Sequence, residues 1–216
     1  MIISPARKFI FVHIPKTGGT SLALALEGRA HRDDILIGDT PKAIKRKGRV
    51  KTLTAKGRLW KHSTLADLDG AYTPAVLDEM FIFTLVRNPW DRIVSYYHWL
   101  RQQGFDHAAV TLAKAVSFED FVLHPDTHAS LRAFPAARYV TDAAGRDLCS
   151  AYVRLEHLAD DLAPVEAHLG FPLTLPHANM SERPRDYRNA YSDRSAQAVA
   201  EMCAEDIARF GYRFDA

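Results

Sequence analysis

Lys16-Thr17-Gly18-Gly19-Thr20-Ser21 gathers one amine, three hydroxyls and two glycines into six consecutive positions. Residues of these types in this order can hold an anion. Gly18 and Gly19 permit backbone angles that other residues resist, so an anion can approach the main chain. Thr20 and Ser21 add hydroxyl donors, and Lys16 adds a full positive charge. The usual nucleotide-triphosphate loop, G-x-x-x-x-G-K-[ST], places its lysine after the second glycine; here the lysine comes first. The plain alternative is a Gly-Gly turn beside a solvated lysine. A second group able to meet a phosphate lies downstream in Arg87-Asn-Pro-Trp-Asp-Arg92-Ile-Val-Ser95, where Arg87 and Ser95 can approach one anion together.

Both groups need elements that position them. Phe9 to Ile14 is a short apolar run suited to a central strand covered on both faces, and Pro15 ends it because proline has no amide proton for a ladder bond. A helix over Leu22 to Leu26 comes next, so its free amides and positive dipole end point back at the loop. Met80 to Val86 reads as the second strand. Asn88 then caps a helix with Pro89 first and Asp91 third, and Ile93, Tyr97 and Leu100 face the core. Further on, Asp34 to Gly38 and Ala151 to Glu156 read as strands. Ser63 reads as the cap of a helix over Thr64 to Leu68. Ser117 caps a helical start, and Pro125 and Pro135 break the chain beyond it. His157 to Leu169 reads as a helix closed by Gly170, Leu175 to Arg183 as a loop, and Ser192 to Phe210 as the last amphipathic helix.

At 216 residues the chain is most simply one domain, residues 1–216, with a core large enough to need no staples. Between Thr40 and Lys61 there are nine basic residues and no acidic one. Removing those nine from the net charge of +2 leaves −7 for the rest. The segment reads as exposed and in part mobile: a solvated surface, or an electrostatic collar for an anionic donor or an acidic acceptor such as a polysaccharide. With Trp60 its only aromatic, it is a poor nucleic-acid site. Two cysteines, Cys149 and Cys203, make neither a disulfide framework nor a metal site, and read as core residues in a reducing compartment. Met1-Ile-Ile-Ser4 is interrupted by Pro5, Arg7 and Lys8, unlike a secretion signal, and Met80 to Val86 is too short to span a membrane. The expected location is cytoplasmic.

The order Pro15-Lys16-Thr17-Gly18-Gly19-Thr20-Ser21 resembles the 5′-phosphosulfate loop of the sulfotransferases. Arg87-Asn-Pro-Trp-Asp-Arg-Ile-Val-Ser95-Tyr96 is similar to their 3′-phosphate signature. The segment Lys61-His62-Ser63-Thr64, the run Arg154-Leu-Glu156, Leu175-Pro-His-Ala-Asn179 and the closing Asp206 to Phe214 extend the likeness nearly end to end. The chain resembles the carbohydrate-type sulfotransferases, particularly compact bacterial members related to heparan 2-O- and HNK-1-type enzymes.

That resemblance implies a three-layer α/β/α fold of P-loop-like kind around a central parallel sheet, with the donor at the carboxyl ends of the strands. It implies 3′-phosphoadenosine 5′-phosphosulfate as co-substrate. Lys16, Thr17, Gly18, Gly19, Thr20 and Ser21 would hold the phosphosulfate, and Arg87 and Ser95 the 3′-phosphate. His62 looks like the general base and Lys16 like the residue that meets charge on the bridging oxygen. Glu156 is a second candidate base, and Arg154, Asn179 and Ser181 lie in matching segments. No metal is implied. The acceptor would be a hydroxyl of a carbohydrate or glycoconjugate. The alternatives are a non-catalytic nucleotide- or polyanion-binding protein and a kinase-like phosphotransferase.

Overall fold

The structure, a computed structural model, describes residues 1–176 and 186–215. In chain order the elements begin β1 (Ile2–Ser4), β2 (Phe9–Val12), α1 (Gly19–Gly28), β3 (Ile35–Leu36), α2 (Pro41–Val50), α3 (Pro74–Asp78) and β4 (Phe81–Val86). They continue α4 (Pro89–Arg101), α5 (Ala108–Ala115), α6 (Phe118–Leu123), α7 (Pro125–Ala133), α8 (Ala136–Tyr139) and β5 (Ala151–Arg154). The last are α9 (Leu158–Asp161), α10 (Ala163–Leu169), α11 (Asp193–Met202) and α12 (Ala204–Phe210). The chain divides into two compact units, Met1–Val86 with Ala136–Asn179, and Arg87–Pro135 with Met180–Ala216.

The first unit holds a mixed sheet in the order β3-β1-β2-β4-β5. Strands β2, β4 and β5 run parallel, with Phe11 opposite Phe83 and Phe83 opposite Ala151. The expected parallel centre is present, but β1 runs antiparallel to both β2 and β3. The cause is chain length: only Pro5 to Lys8 separate β1 from β2, enough for a hairpin and far too little for a crossover. Lys8 closes that turn with a positive φ of 51° and an amide bond to the Pro5 carbonyl. Alternation along β2 sends Phe9 and Phe11 to one face, where they pack with Leu22 and Leu26 of α1 and with Val165 and Leu169 of α10. Ile10 and Ile82, on the opposite face, are fully buried as well, so water is excluded from both sides of the central strands.

In the second unit α4 begins as its sequence demands. Asn88 Oδ1 accepts from the Trp90 amide at 3.1 Å, Pro89 takes the first position, and Asp91 sits in the first turn. Ile93, Tyr97 and Leu100 are buried. Trp90 Nε1 donates to the Ala196 carbonyl and Tyr191 donates to the Trp90 carbonyl, tying α4 to the start of α11.

Several elements depart from expectation for local reasons. The basic segment contains α2: Thr40 caps it by accepting from the Ala43 amide, and Pro41 occupies its first position. Ser63 does not cap a helix. Its hydroxyl donates towards the carbonyls of Arg58 and Trp60 and accepts from the Trp60 amide, knotting a tight turn. The stretch from 157 to 169 divides into α9 and α10 because Pro164 has no amide to continue the ladder. The final helix divides at Cys203. Cys149 and Cys203 are both only partly buried; Cys203 packs against the cluster of Trp90, Val199 and Met202, so the core reading fits it in part and does not fit Cys149. Among the described residues no helix is long and apolar enough to cross a membrane. The expected loop from Leu175 to Arg183 falls largely outside the described residues.

Candidate functional site

The first unit carries the glycine-bearing loop that the sequence marks as a candidate anion site. Strand β2 ends at Val12, whose carbonyl accepts from Thr84 Oγ1 of β4 at 2.7 Å. The chain then turns through Pro15-Lys16-Thr17-Gly18 into α1. Lys16 and Gly18 both hold positive φ, 65° and 84°. For Gly18 this is free, while for Lys16 it stores about 1–2 kcal/mol. Left-handed residues in such a turn create concavities of amide N–H groups that suit anions. Helix α1 opens without a side-chain cap and without an acidic residue in its first turn, so nothing in its own sequence offsets the positive end of its dipole. It begins at Gly19, earlier than expected, which places Thr20 and Ser21 inside the first turn. Thr17 is buried and its hydroxyl donates to the Ile14 carbonyl at 2.9 Å. What Thr17 can offer an anion is therefore its amide.

Behind this loop stands His13, a residue that belongs to no motif. It is buried at the end of the apolar run, and a Cβ on Gly19 would overlap its imidazole. Gly19 is required by that packing rather than by its own φ. The signal available in sequence was a polar side chain inside a strand covered on both faces, the kind of burial that calls for a reason.

His62 packs edge-on against His13 with ring centroids 4.7 Å apart, and Trp60 packs edge-on against His62 at 5.0 Å. His62 Nδ1 lies 2.8 Å from the His13 carbonyl oxygen. A carbonyl only accepts, so Nδ1 carries the proton and Nε2 keeps its lone pair. Among the described residues Nε2 has no hydrogen-bond partner. Burial pushes the His62 pKa down to about 4, against which the His13 carbonyl pulls upward. Burial also holds His13 well below the ordinary histidine value, with His62 adding to the effect. Both rings are neutral at pH 7. The amino terminus lies close by: Met1 donates to the carbonyls of Ile37 and Lys61 at 3.0 and 2.8 Å, and burial lowers its pKa to about 5.

Arg87 and Ser95 belong to the second unit. Arg87 is mostly buried and donates through Nε to Asp91 Oδ2 at 2.8 Å, with Nη2 reaching the same oxygen. The carboxylate one turn along α4 holds the guanidinium in a fixed direction. Ser95 is buried on α4. Glu156 is exposed in a 3-10 turn that succeeds β5. Arg154 forms a two-pronged ion pair with Asp161 through Nε and Nη2, while its amide meets the same carboxylate. That is a structural role. Asn179 and Ser181 lie outside the described residues. Among the described residues no cluster of His, Cys, Asp and Glu could hold a metal ion.

The sequence model of the sulfotransferase family matches residues 1–213. Among solved structures, one of mouse sulfotransferase SULT7A1 complexed with PAP is similar at a TM-score of 0.48 and 16% identity, over 95% of this chain and 85% of that one. No curated protein matches the sequence.

Proposed function

Because the chain belongs to the sulfotransferase family, we propose that it moves a sulfuryl group from 3′-phosphoadenosine 5′-phosphosulfate to a hydroxyl of a carbohydrate or glycoconjugate. The observation that carries this reading is the position of His62. Its one accessible lone pair, on Nε2, belongs to a ring whose other nitrogen is fixed by the carbonyl of His13. The His13 imidazole in turn lies against Gly19, the first residue of α1. A base and an anion cradle thus share one wall.

The loop's chemistry fits the donor. An uncapped helix start, left-handed Lys16 and Gly18, and the hydroxyls of Thr20 and Ser21 supply donors and positive potential for a phosphosulfate. Arg87 and Ser95 are assigned to the 3′-phosphate; Asp91 holds the Arg87 guanidinium in direction through Nε and Nη2. In the transfer, the acceptor oxygen forms a bond to sulfur while the bond from sulfur to the bridging phosphate oxygen breaks. The hydroxyl proton goes to His62 Nε2, and the electron pair stays on the bridging oxygen beside Lys16. That charge grows only in the transition state, so Lys16 lowers the barrier rather than merely tightening binding. The family match spans both units, which supports treating 1–216 as one transferase domain.

Calorimetric titration tests the donor assignment. Adenosine 3′,5′-bisphosphate should bind at least tenfold more tightly than adenosine triphosphate, and Arg87→Ala should weaken it by roughly 10- to 100-fold, the value of a charge-assisted pair. Equal affinity for the triphosphate would favour a phosphotransferase. Tight bisphosphate binding with no turnover on any hydroxyl acceptor would favour a silent binding protein.

A further inference from the structure

The first unit satisfies several of its buried polar side chains locally. The hydroxyls of Thr17, Ser63 and Thr84 donate to the carbonyls of Ile14, Arg58 and Val12. His13 is treated differently. It is 7% exposed, between Val12 at 0% and Ile14 at 1%, and among the described residues neither nitrogen of its ring has a hydrogen-bond partner. Burying an imidazole without partners is unfavourable, and a leucine or phenylalanine could occupy a wholly apolar space without that penalty.

The ring is held on three sides. Phe11 stacks on it with centroids 5.8 Å apart, His62 meets it edge-on at 4.7 Å, and a Cβ on Gly19 would fall 2.4 Å from its Nε2. Phe11 belongs to the core. The other two belong to the site: Gly19 opens α1, whose start has no side-chain cap, and His62 carries the base's lone pair on Nε2. Burial keeps the His13 ring neutral at pH 7, so it has one N–H to donate and no charge.

We propose that His13 touches the donor, its Nε2–H donating to an oxygen of the sulfuryl group itself. The proposal rests on the sulfuryl-transfer reading and deepens it. In an in-line transfer the acceptor hydroxyl and its base stand on one side of sulfur, and the bridging oxygen and phosphate stand on the other. A ring that touches both the base and the first residue of the helix assigned to the phosphate lies beside the group between them, which is the sulfuryl. The oxygens of that group carry negative charge throughout the transfer, and an N–H already in place beside them needs no reorganisation as the reaction proceeds. His13 neither gains nor loses a proton; the contact requires only that its proton sit on Nε2.

Calorimetric titration of the full chain compares the intact donor with adenosine 3′,5′-bisphosphate, which lacks the sulfuryl group. His13→Met fills the space without an N–H, and His13→Gln puts an amide nitrogen near the place of Nε2. His13→Met should weaken the donor by about tenfold or more, as loss of a hydrogen bond to a charged group does, and leave bisphosphate affinity unchanged. His13→Gln should recover most of the donor affinity. A residue that only packs would give the opposite order, because methionine suits an apolar hole better than an amide does, and would not separate the two nucleotides. A measurement on the wild type is independent of how either variant folds. With nitrogen-15 in the imidazoles, the Nε2 resonance that is missing from the His13→Gln spectrum should be of the protonated type, and it should move further with the donor than with the bisphosphate. Should His13→Met bind neither nucleotide, that resonance decides. No donor loss in His13→Met, equal losses for the two nucleotides, weaker donor binding by His13→Gln than by His13→Met, or an unprotonated Nε2 would overturn the assignment and leave the transfer reading standing. If the wild type binds neither nucleotide, the transfer reading fails and takes the inference with it.

Discussion

Acid should cost this protein stability through His62, and the amount is set by its surroundings. The folded ring titrates at about 4 in place of the ordinary 6.5, so its neutral form is favoured in the native state by about 3 kcal/mol. The ring is only partly buried, and solvent screening brings the expected figure to roughly 2 kcal/mol. With the folded pKa below the unfolded one, this stability is fully present above pH 6.5. It is lost as the pH falls towards 4, because the unfolded chain takes up the proton first. The assay is urea unfolding at pH 7 and pH 4.5 for the wild type and for His62→Gln. His13 and the Met1 amine, whose pKa values burial also lowers, destabilise both chains in acid and largely cancel in the comparison. The wild type should lose about 2 kcal/mol more than the variant over that interval. A proton NMR titration of the imidazole should give a midpoint close to 4. An equal acid loss in the two chains, or a midpoint near 6.5, would refute the claim that His62 is held neutral by burial with its lone pair on Nε2.

Two substitutions probe the loop itself. Gly19→Ala drives a methyl group into the His13 imidazole; overpacking of this kind costs about 1–3 kcal/mol. In thermal denaturation the loss should be far larger than for Gly28→Ala, where the space is open; equal effects would show that His13 yields freely. Lys16→Gly relieves the left-handed strain and should leave stability unchanged or raise it by up to ~1 kcal/mol, while lowering turnover by at least a hundredfold. A marked loss of stability would mean that the Lys16 side chain holds the loop together, contrary to the role assigned to it.

Those elements whose signals are local were readable from sequence alone. Asn88-Pro89-Trp90-Asp91 specifies a cap, a first helical position and a favourable first-turn charge, and α4 begins as written. The glycines and hydroxyls of the loop announced a helix start, although α1 begins at Gly19. Features made by long-range packing were hidden. Nothing adjacent to His13 says that its ring will lie under Gly19 or that its carbonyl will meet His62, forty-nine residues away. The reversed β1 comes from a hairpin too short for a crossover, a length argument available in sequence but masked by the proline and charges between the strands. Helix α2 carried a start signal in Thr40-Pro41, and the density of positive charge obscured it. That density proved mostly structural: carbonyls or carboxylates hold five of the nine cations, Lys42, Arg46, Arg49, Lys56 and Lys61.

Transfer of sulfur-35 from labelled 3′-phosphoadenosine 5′-phosphosulfate to a panel of acidic and neutral glycans tests the central claim most directly. The wild-type chain should label at least one glycan of the panel. His62→Ala should reduce the rate by about 10²- to 10⁴-fold, as loss of a general base does, with bisphosphate affinity retained, and Lys16→Ala should reduce it comparably. Label appearing as fast with either variant as with the wild type would contradict the account.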